Sequence, residues 1–265
     1  MRAFVSMLRT ALRQQLQYRS AALAGIFTQV VFGLIYVMVY RAFYAYNPDS
    51  LQDMTLMQTI SYAWISQGTY RMMSWSGVKE IEAMMRDGRI AFELARPMDL
   101  HGMWFARAVA LRTAPLLLNF PCILVFSMLL LPPGMRLTLD PSCLPLGFLS
   151  LFLGMLVSAA MTTILTSTYF WTISGQGINR ILPMVGALCA GNMPLAFFPA
   201  GVRFVLRMLP FASIVDAPLR ILVGAADAGQ ALAVIGLQVL WLLLLTALGK
   251  GIMGAGVRKC MVQGG

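Results

Sequence analysis

The amino-acid sequence predicts an all-α membrane protein with six transmembrane helices. Three observations lead to this class: a mean hydropathy of +0.75, a charged fraction of 11%, and long apolar blocks without the alternation of a membrane β-barrel. Backbone polar groups inside a bilayer must be paired within the protein, so continuous apolar blocks form helices there. A single membrane domain over residues 1–265 is expected.

Residues 1–20 are predicted to form an amphipathic helix at the membrane surface. Apolar residues recur at helical spacing between positions 4 and 16, while Arg2, Arg9 and Arg13 occupy the opposite face. Two interpretations stay open: a helix that lies on anionic lipid, or a cytosolic flank whose basic residues set the topology.

Six apolar segments follow, separated by turns or charged stretches. Their predicted bounds are 21–42, 56–75, 108–131, 144–171, 178–198 and 231–249. The third segment contains Pro115 and Pro121, which are expected to kink it, and the fourth is long enough to require tilt.

The second of these segments is a poor membrane helix by composition. One side of it is polar through much of its length, with Gln58, Ser61, Tyr62, Ser66 and Thr69. An arginine costs about 2.5–3.5 kcal/mol at mid-span, so the helix that carries Arg71 is expected to need protein neighbours. Its polar side lines either an interface between helices or a water-filled pathway.

Residues 199–230 are apolar but hold no continuous span. Prolines interrupt them at Pro199, Pro210 and Pro218, and four charges follow the same stretch: Arg203, Arg207, Asp216 and Arg220. Short helices that dip into the membrane from outside, or lie on it, are expected here.

Basic residues are distributed unequally between the two sides of the predicted bundle. Six spans place both termini on one side, which then carries fourteen basic residues, Arg112 among them, against five on the other. Positive charge concentrates on the cytoplasmic side of membrane proteins, so both termini are predicted to be cytoplasmic. The net charge of +10 is thereby explained by orientation, and no nucleic-acid partner is expected.

Segment 76–107 is the only internal cytoplasmic loop of any size, and it holds five of the ten acidic residues. Apolar residues share a helical spacing at Val78, Ile81, Met84 and Met85, and Asp87-Gly88 is a predicted helix stop. A helical hairpin with mixed charges and an apolar ridge suits docking against a soluble protein partner. A solvated loop of intermixed charges is the alternative.

Two stretches resemble a known family. The motif FELARPMDLH follows a helix-ending DGR, and PLAFFPAGVRFVLRMLPFASIVDAPLRILVG precedes the sixth span. Both are similar to bacterial permease subunits of type-2 ATP-binding-cassette (ABC) exporters, in which an LRP-like motif follows the second span and an LPF…P…I…G motif precedes the sixth. The order of segments matches over nearly the whole chain. Ala95 departs from the pattern, which has leucine there.

The resemblance implies a half-transporter in the bacterial inner membrane. Two permease chains, identical or homologous, pair in the bilayer, and two cytoplasmic ATPases dock on their coupling helices. The sequence has no GxxxxGK[ST] phosphate loop; at its nearest approach, LGKG at residues 248–251, Leu244 replaces the first glycine. ATP and Mg²⁺ are therefore expected on the partner ATPase, with no cofactor on this chain, which is expected to be a transporter subunit and not an enzyme.

By position, the resemblance assigns three sets of residues. The ATPase-coupling set is Ile81, Glu82, Met85, Arg86, Asp87, Gly88, Arg89, Glu93, Arg96 and Pro97. Candidates for the lining of the translocation path on the second and fifth spans are Gln58, Tyr62, Thr69, Asn179 and Asn192, each also suited to a simple hydrogen bond between helices. The outer gate comprises Pro210, Phe211 and Pro218.

Two other function classes stay open: an ion-coupled secondary transporter and a non-transporting membrane scaffold. Ion-coupled carriers usually show internal repeats and ionisable groups at mid-membrane. This sequence shows no repeat and no carboxylate within a predicted span. Its four scattered cysteines and one histidine form no metal-site pattern.

Overall fold

The computed structural model is built of α-helices, with no β-strand among the described residues. It describes residues 19–46, 53–73, 77–95, 99–172 and 193–263 and positions 5–7, 9, 10, 13, 177, 181 and 184, without the side chains of 19–22, 71, 73 and 260–263. The helices are α1 (Arg19–Tyr46), α2 (Leu56–Met73), α3 (Lys79–Arg86), α4 (Ile90–Leu94), α5 (Leu100–Leu129), α6 (Leu144–Ser167), α7 (Ala200–Met208), α8 (Pro210–Ile214), α9 (Asp216–Leu222) and α10 (Ala228–Gln263). The predicted all-α class is confirmed.

Four described segments are long and apolar enough to cross a membrane. They are Leu23–Tyr46, Leu100–Leu129, Pro141–Phe170 and Ala228–Lys259, which correspond to the first, third, fourth and sixth predicted spans. The count of six stays a prediction, because the predicted fifth span, 178–198, lies outside the described residues apart from positions 181, 184 and 193–198. Most of the predicted interfacial helix, 1–20, also lies outside them.

Helix α2 is enclosed by the rest of the chain. It packs against α1 and α5, and every residue from 59 to 69 is buried. Its composition is too polar for a helix in contact with lipid on all sides, so the other helices supply its apolar and polar neighbours. The expectation that this segment needs protein neighbours is confirmed.

Helix α5 begins at Leu100, eight residues before the predicted third span. The Asp99 side chain accepts a hydrogen bond from the Gly102 amide at 2.9 Å, which caps the first turn. Pro115 and Pro121 lie inside the helix, as the sequence places them. Arg112, counted above on the cytoplasmic flank, is instead buried between α5 and α6 at 5% exposure.

Helix α6 is the central helix of the described bundle and contacts α5, α9 and α10. A short turn precedes it, where Asp140 accepts hydrogen bonds from the amide and hydroxyl of Ser142, which hold the pKa of the Asp140 carboxyl below its usual range. Small residues let the neighbours approach closely. A Cβ placed on Gly154 would lie 2.9 Å from the carbonyl oxygen of Ile214 and 3.0 Å from that of Ser213.

The stretch between residues 199 and 230 is broken into short helices, as predicted. Pro199 precedes α7, Pro210 begins α8, and Pro218 lies in the first turn of α9, positions where a helix tolerates proline because no intrahelical amide bond is lost. Both α8 and α9 are mostly buried against α6.

Helix α10 runs for 36 residues and extends well beyond the predicted sixth span, 231–249. The hydropathy falls at Gly249, Lys250 and Gly251, but the helix continues through these residues. The extension has packing partners, because Met253 and Val257 join an apolar cluster with α3 and α5. Gly256 lies so close to Phe170 that a Cβ would be 2.7 Å from the ring.

The Gly154→Ala substitution is expected to lower the free energy of unfolding by about 1–3 kcal/mol, because the new methyl group meets two backbone carbonyl oxygens. The apparent unfolding midpoint in detergent measures this. Gly236→Ala in α10 is the matched control: apart from the adjacent residues and backbone of its own helix, no atom of the described residues lies within 4 Å of the added Cβ, and alanine is the better helix former by roughly 1 kcal/mol. Equal shifts for the two variants would contradict the close approach.

Candidate coupling site

Helices α3 and α4 form a short hairpin at one end of the bundle, referred to below as the coupling hairpin (residues 77–95). Helix α3 ends at Arg86, Asp87 caps it, and Gly88 follows with φ of 72°. That left-handed conformation favours glycine, so the Asp87-Gly88 pair turns the chain from α3 into α4. The helix stop predicted from this dipeptide is confirmed.

One face of the coupling hairpin is apolar and packs inward. It joins a cluster, called the coupling cluster here, whose buried members are Val78, Ile81, Ile90, Met103, Trp104, Tyr169 and Met253. Ile81 is 0% exposed, and Met85 is partly buried against the same cluster. These two residues, which the sequence placed in the ATPase-coupling set, therefore anchor the hairpin in this chain.

The other face of the hairpin is charged and exposed. The Arg86 side chain is 56% exposed and lies 3.5 Å from Glu82, and Arg89 pairs with Asp87 at 2.8 Å. Exposed ion pairs of this kind contribute about 0–1 kcal/mol, so they do not hold the fold together. Arg86, Asp87 and Arg89 are thus available to a partner, whereas Glu82 is mostly covered, with 12% of its side chain exposed.

Glu93 fixes the hairpin to α5. Its side chain is 6% exposed; Oε2 accepts from Trp104 Nε1 at 2.9 Å, and Oε1 accepts from Arg107 Nη2 at 2.9 Å. A buried carboxylate needs such partners, because an unpaired buried charge is costly. Glu93, predicted to belong to the ATPase-coupling set, thus holds the hairpin against α5 within this chain, and its role in coupling stays a prediction. Arg96 and Pro97 lie outside the described residues.

Two further contacts tie the hairpin to α6 and α10. The Val78 amide donates to Thr166 Oγ1 at 3.1 Å, at the end of α6. Met253 of α10 lies in the coupling cluster. The hairpin is thereby attached to three of the long helices at once, through one ion pair, two further hydrogen bonds and a shared apolar core.

The path candidates on α2 have hydrogen-bond partners inside the chain. Gln58 Nε2 donates to the Gly224 carbonyl at 2.9 Å, Tyr62 donates to Asp216 Oδ1 at 3.3 Å, and Thr69 donates to the Ile65 carbonyl at 2.9 Å. Gln58 and Tyr62 bond to residues of other elements, whereas Thr69 bonds within α2, so these polar side chains of α2 are paired inside the chain in this conformation. Asn179 and Asn192 lie outside the described residues.

The three gate candidates lie in α8 and α9, beside the same contacts. Pro210 and Pro218 are buried, and Phe211 packs against the main core. Asp216 of α9 is buried and accepts from both Tyr62 and the Leu195 amide. Tyr62 of α2 is thereby linked to the short helices that were predicted to form the outer gate.

Two buried polar clusters were not singled out by sequence reasoning. Arg112 donates to Ser158 Oγ at 2.9 Å and to Thr162 Oγ1, and Gln238 of α10 donates to the Ser213 and Ser150 carbonyls at 2.8 and 3.0 Å. A lone polar residue within an apolar run is the signal that could have found both. Each cluster joins two or more helices at membrane depth.

The described residues contain no group of three or more His, Cys, Asp or Glu side chains that could hold a metal ion. Five charged groups of the coupling hairpin, Glu82, Arg86, Asp87, Arg89 and Glu93, are paired with one another or with α5, whereas Lys79 and Glu80 are exposed. The hairpin therefore presents an exposed charged surface, and its base is buried against the long helices.

Comparison with known proteins agrees with this architecture. A family model described as "ABC-2 family transporter protein" matches residues 26–264, which is nearly the whole chain and includes the coupling hairpin and the short helices α7–α9. No curated protein matches the sequence. The resemblance noted from the motifs is thereby confirmed, and the chain belongs to the ABC-2 transporter family as a membrane permease subunit.

Proposed function

We propose that this chain is one half of the permease of an exporter, driven by separate cytoplasmic ATPases that dock on the coupling hairpin. The observation that carries the proposal is the hairpin itself, with a charged, exposed face and a base fixed to α5, α6 and α10. Membership of the ABC-2 family supports transport powered by an ABC ATPase. ATP and Mg²⁺ would be bound by that partner.

The contacts of the hairpin support a mechanical role. A push on the exposed residues Arg86, Asp87 and Arg89 reaches α5 through Glu93 and α6 through Thr166. Because these contacts are buried, the hairpin and the ends of the long helices move together as a rigid body. Closure of two ATPases against two hairpins would rock the paired permeases between inward-facing and outward-facing states.

The substrate route is proposed to open where α2 meets α8 and α9. In the described conformation the Gln58–Gly224 and Tyr62–Asp216 hydrogen bonds close this junction. Outward opening would break them and expose the polar side of α2 to substrate. Pro210, Phe211 and Pro218 lie in the elements that would move away, which fits an outer gate.

A second permease chain is proposed to cover part of α1 and α10. Only 17% of the apolar window of α1 and 11% of that of α10 are buried within the chain. Some of this surface faces lipid, and the rest is available to a second permease. Residues 59–69 of α2 are buried in the single chain. A contact between the two permeases along α2 would therefore require the helices around α2 to separate.

The proposed location is the bacterial inner membrane, with both termini in the cytoplasm. With Arg112 placed inside the bundle, thirteen basic residues remain on the side of the termini against five on the other, and the positive-inside rule still applies. Proton- or sodium-coupled carriers usually hold a carboxylate at mid-membrane, and α1, α2, α5, α6 and α10 contain no Asp or Glu.

Affinity purification of the tagged chain from its native membranes tests the proposal. The expected result is a stoichiometric polypeptide with a GxxxxGK[ST] phosphate loop, identified by mass spectrometry. Recovery of the chain without any such ATPase would favour an ion-coupled carrier or a scaffold instead.

Reversal of two adjacent charges on the hairpin, Arg86→Glu with Asp87→Lys, is expected to lower ATPase recovery at least tenfold. The net charge is unchanged, but each complementary charge on the ATPase then faces a charge of the same sign. Such like-charge repulsion weakens the binding free energy by several kcal/mol. Membrane insertion should be unchanged and the free energy of unfolding should shift by no more than about 1 kcal/mol, because the two substituted side chains are exposed. Arg136→Glu, on the proposed outer side, is the control and should retain the ATPase.

The Glu93→Ala substitution is expected to release the hairpin from α5 and to lower the free energy of unfolding by about 3–5 kcal/mol, because Arg107 loses its buried partner. Limited proteolysis in residues 77–95 and the unfolding midpoint in detergent measure the two effects. Glu80→Ala, an exposed change in the same hairpin, should leave both within about 0.5 kcal/mol of the original chain. Indistinguishable behaviour of the two variants would refute the role given to Glu93.

A further inference from the structure

A cavity of about 450 Å³ opens at the end of the bundle opposite the coupling hairpin. Its polar lining is Asp53, Arg207, Arg220 and Gln230, and its remaining wall consists of small apolar residues. Gln230 and Met253 are separated by about 35 Å along α10 at 1.5 Å per residue. In the topology proposed above, the cavity therefore faces the outside of the cell.

Both arginines of the cavity carry an N–H donor that has no acceptor among the described residues. Arg207 Nη2 donates to Asp53 Oδ2 at 3.2 Å, and Arg203 Nη1 lies 2.9 Å from the same oxygen. The Nε atoms of Arg207 and Arg220 are both enclosed by protein and have no hydrogen-bond partner among the described residues. Buried donors are nearly always paired, so two unpartnered Nε atoms on residues that line one cavity mark both guanidinium groups as incompletely satisfied.

The nearby carboxylates in the described part of the chain are already engaged. Asp53 Oδ2 is shared by two guanidinium groups, and Asp216 accepts from Tyr62 and from the Leu195 amide. Asp227 caps the start of α10 by accepting from the Gln230 amide at 2.7 Å, and it is not among the lining residues. The lining itself holds two positive charges and one negative charge, so the excess is positive.

Topology does not explain these arginines. Positive residues are disfavoured on the outer side of a membrane protein, yet Arg203, Arg207 and Arg220 are three of the five basic residues assigned there. A recognition role accounts for their position better, because the planar guanidinium matches the geometry of phosphate oxygens.

We infer that this cavity binds a phosphate ester, held by Arg207 and Arg220. Its volume lies in the roughly 300–1,000 Å³ range of small-molecule pockets, which suits a phosphorylated head group better than a bare ion. The ester is either the head group of an outer-leaflet lipid, whose tails would lie along the exposed apolar surface of α10, or a soluble phosphorylated compound.

Binding to the purified chain in a neutral detergent tests the inference. The probes are sn-glycerol 3-phosphate, followed by isothermal titration calorimetry, and phosphatidylglycerol, counted as adducts by native mass spectrometry. The double variant Arg207→Gln with Arg220→Gln should bind at least tenfold more weakly, while Arg136→Gln, an exposed arginine outside the cavity, should bind as the original chain does. Binding of both probes assigns a site for phosphate esters in general. Binding of sn-glycerol 3-phosphate alone assigns a soluble ester, and binding of phosphatidylglycerol alone assigns a lipid head group.

Asp53→Asn is expected to change the affinity in the opposite direction. A gain in affinity cannot result from misfolding, so this variant controls for a loss caused by misfolding. Removal of this carboxylate frees Arg207 Nη2 and raises the positive excess, so affinity for the same probe should increase at least threefold. Binding of neither probe by the original chain, equal binding by the double arginine variant, or unchanged or weaker binding by Asp53→Asn would each overturn the inference. The proposed exporter function would survive that result, because no ATPase takes part in the measurement.

Discussion

The constraint on which this structure depends is that polar groups at membrane depth must find partners within the protein. Water is absent there, so each buried hydroxyl, amide or charge that lacks a partner destabilises the fold. The chain meets the requirement with contacts between helices. Tyr62 donates to Asp216, Arg112 donates to Ser158, and Gln238 donates to the Ser213 carbonyl. Because each contact joins different elements, the same bonds that satisfy polar groups also set how the helices pack.

This constraint divides the bundle into regions with different freedom to move. The coupling hairpin is held by a buried ion pair and an apolar cluster, so under the function proposed above it would pass on a displacement with little deformation. The described hydrogen bonds between α2 and the segment of α8 and α9 are two, from Gln58 at 2.9 Å and from Tyr62 at 3.3 Å. A firmly attached hairpin at one end of the helices and a junction with few hydrogen bonds toward the other fit the proposed conversion of cytoplasmic motion into outward opening.

Sequence reasoning located the coupling hairpin and its turn correctly because both depend on local rules. Gly88 ends a helix by its backbone conformation, and the apolar spacing of Val78 and Ile81 defines an inner face. The same reasoning gave the third span from residue 108 without the eight helical residues that precede it in α5, and it counted Arg112 outside the bundle. Hydropathy averages over a window, so it cannot register a capping bond such as that of Asp99 or a buried arginine whose partners lie on another helix.

The sequence by itself determined the helical class, the broken segment after residue 199 and the charged hairpin, because hydropathy, proline and charge act through short stretches of chain. Only the tertiary structure decided that Ile81 anchors while Arg86 is exposed, that the polar side of α2 is paired, and that Arg207 and Arg220 border one cavity. These outcomes depend on residues more than ten positions apart in the chain, and no local pattern records which distant partner a side chain meets once the helices pack.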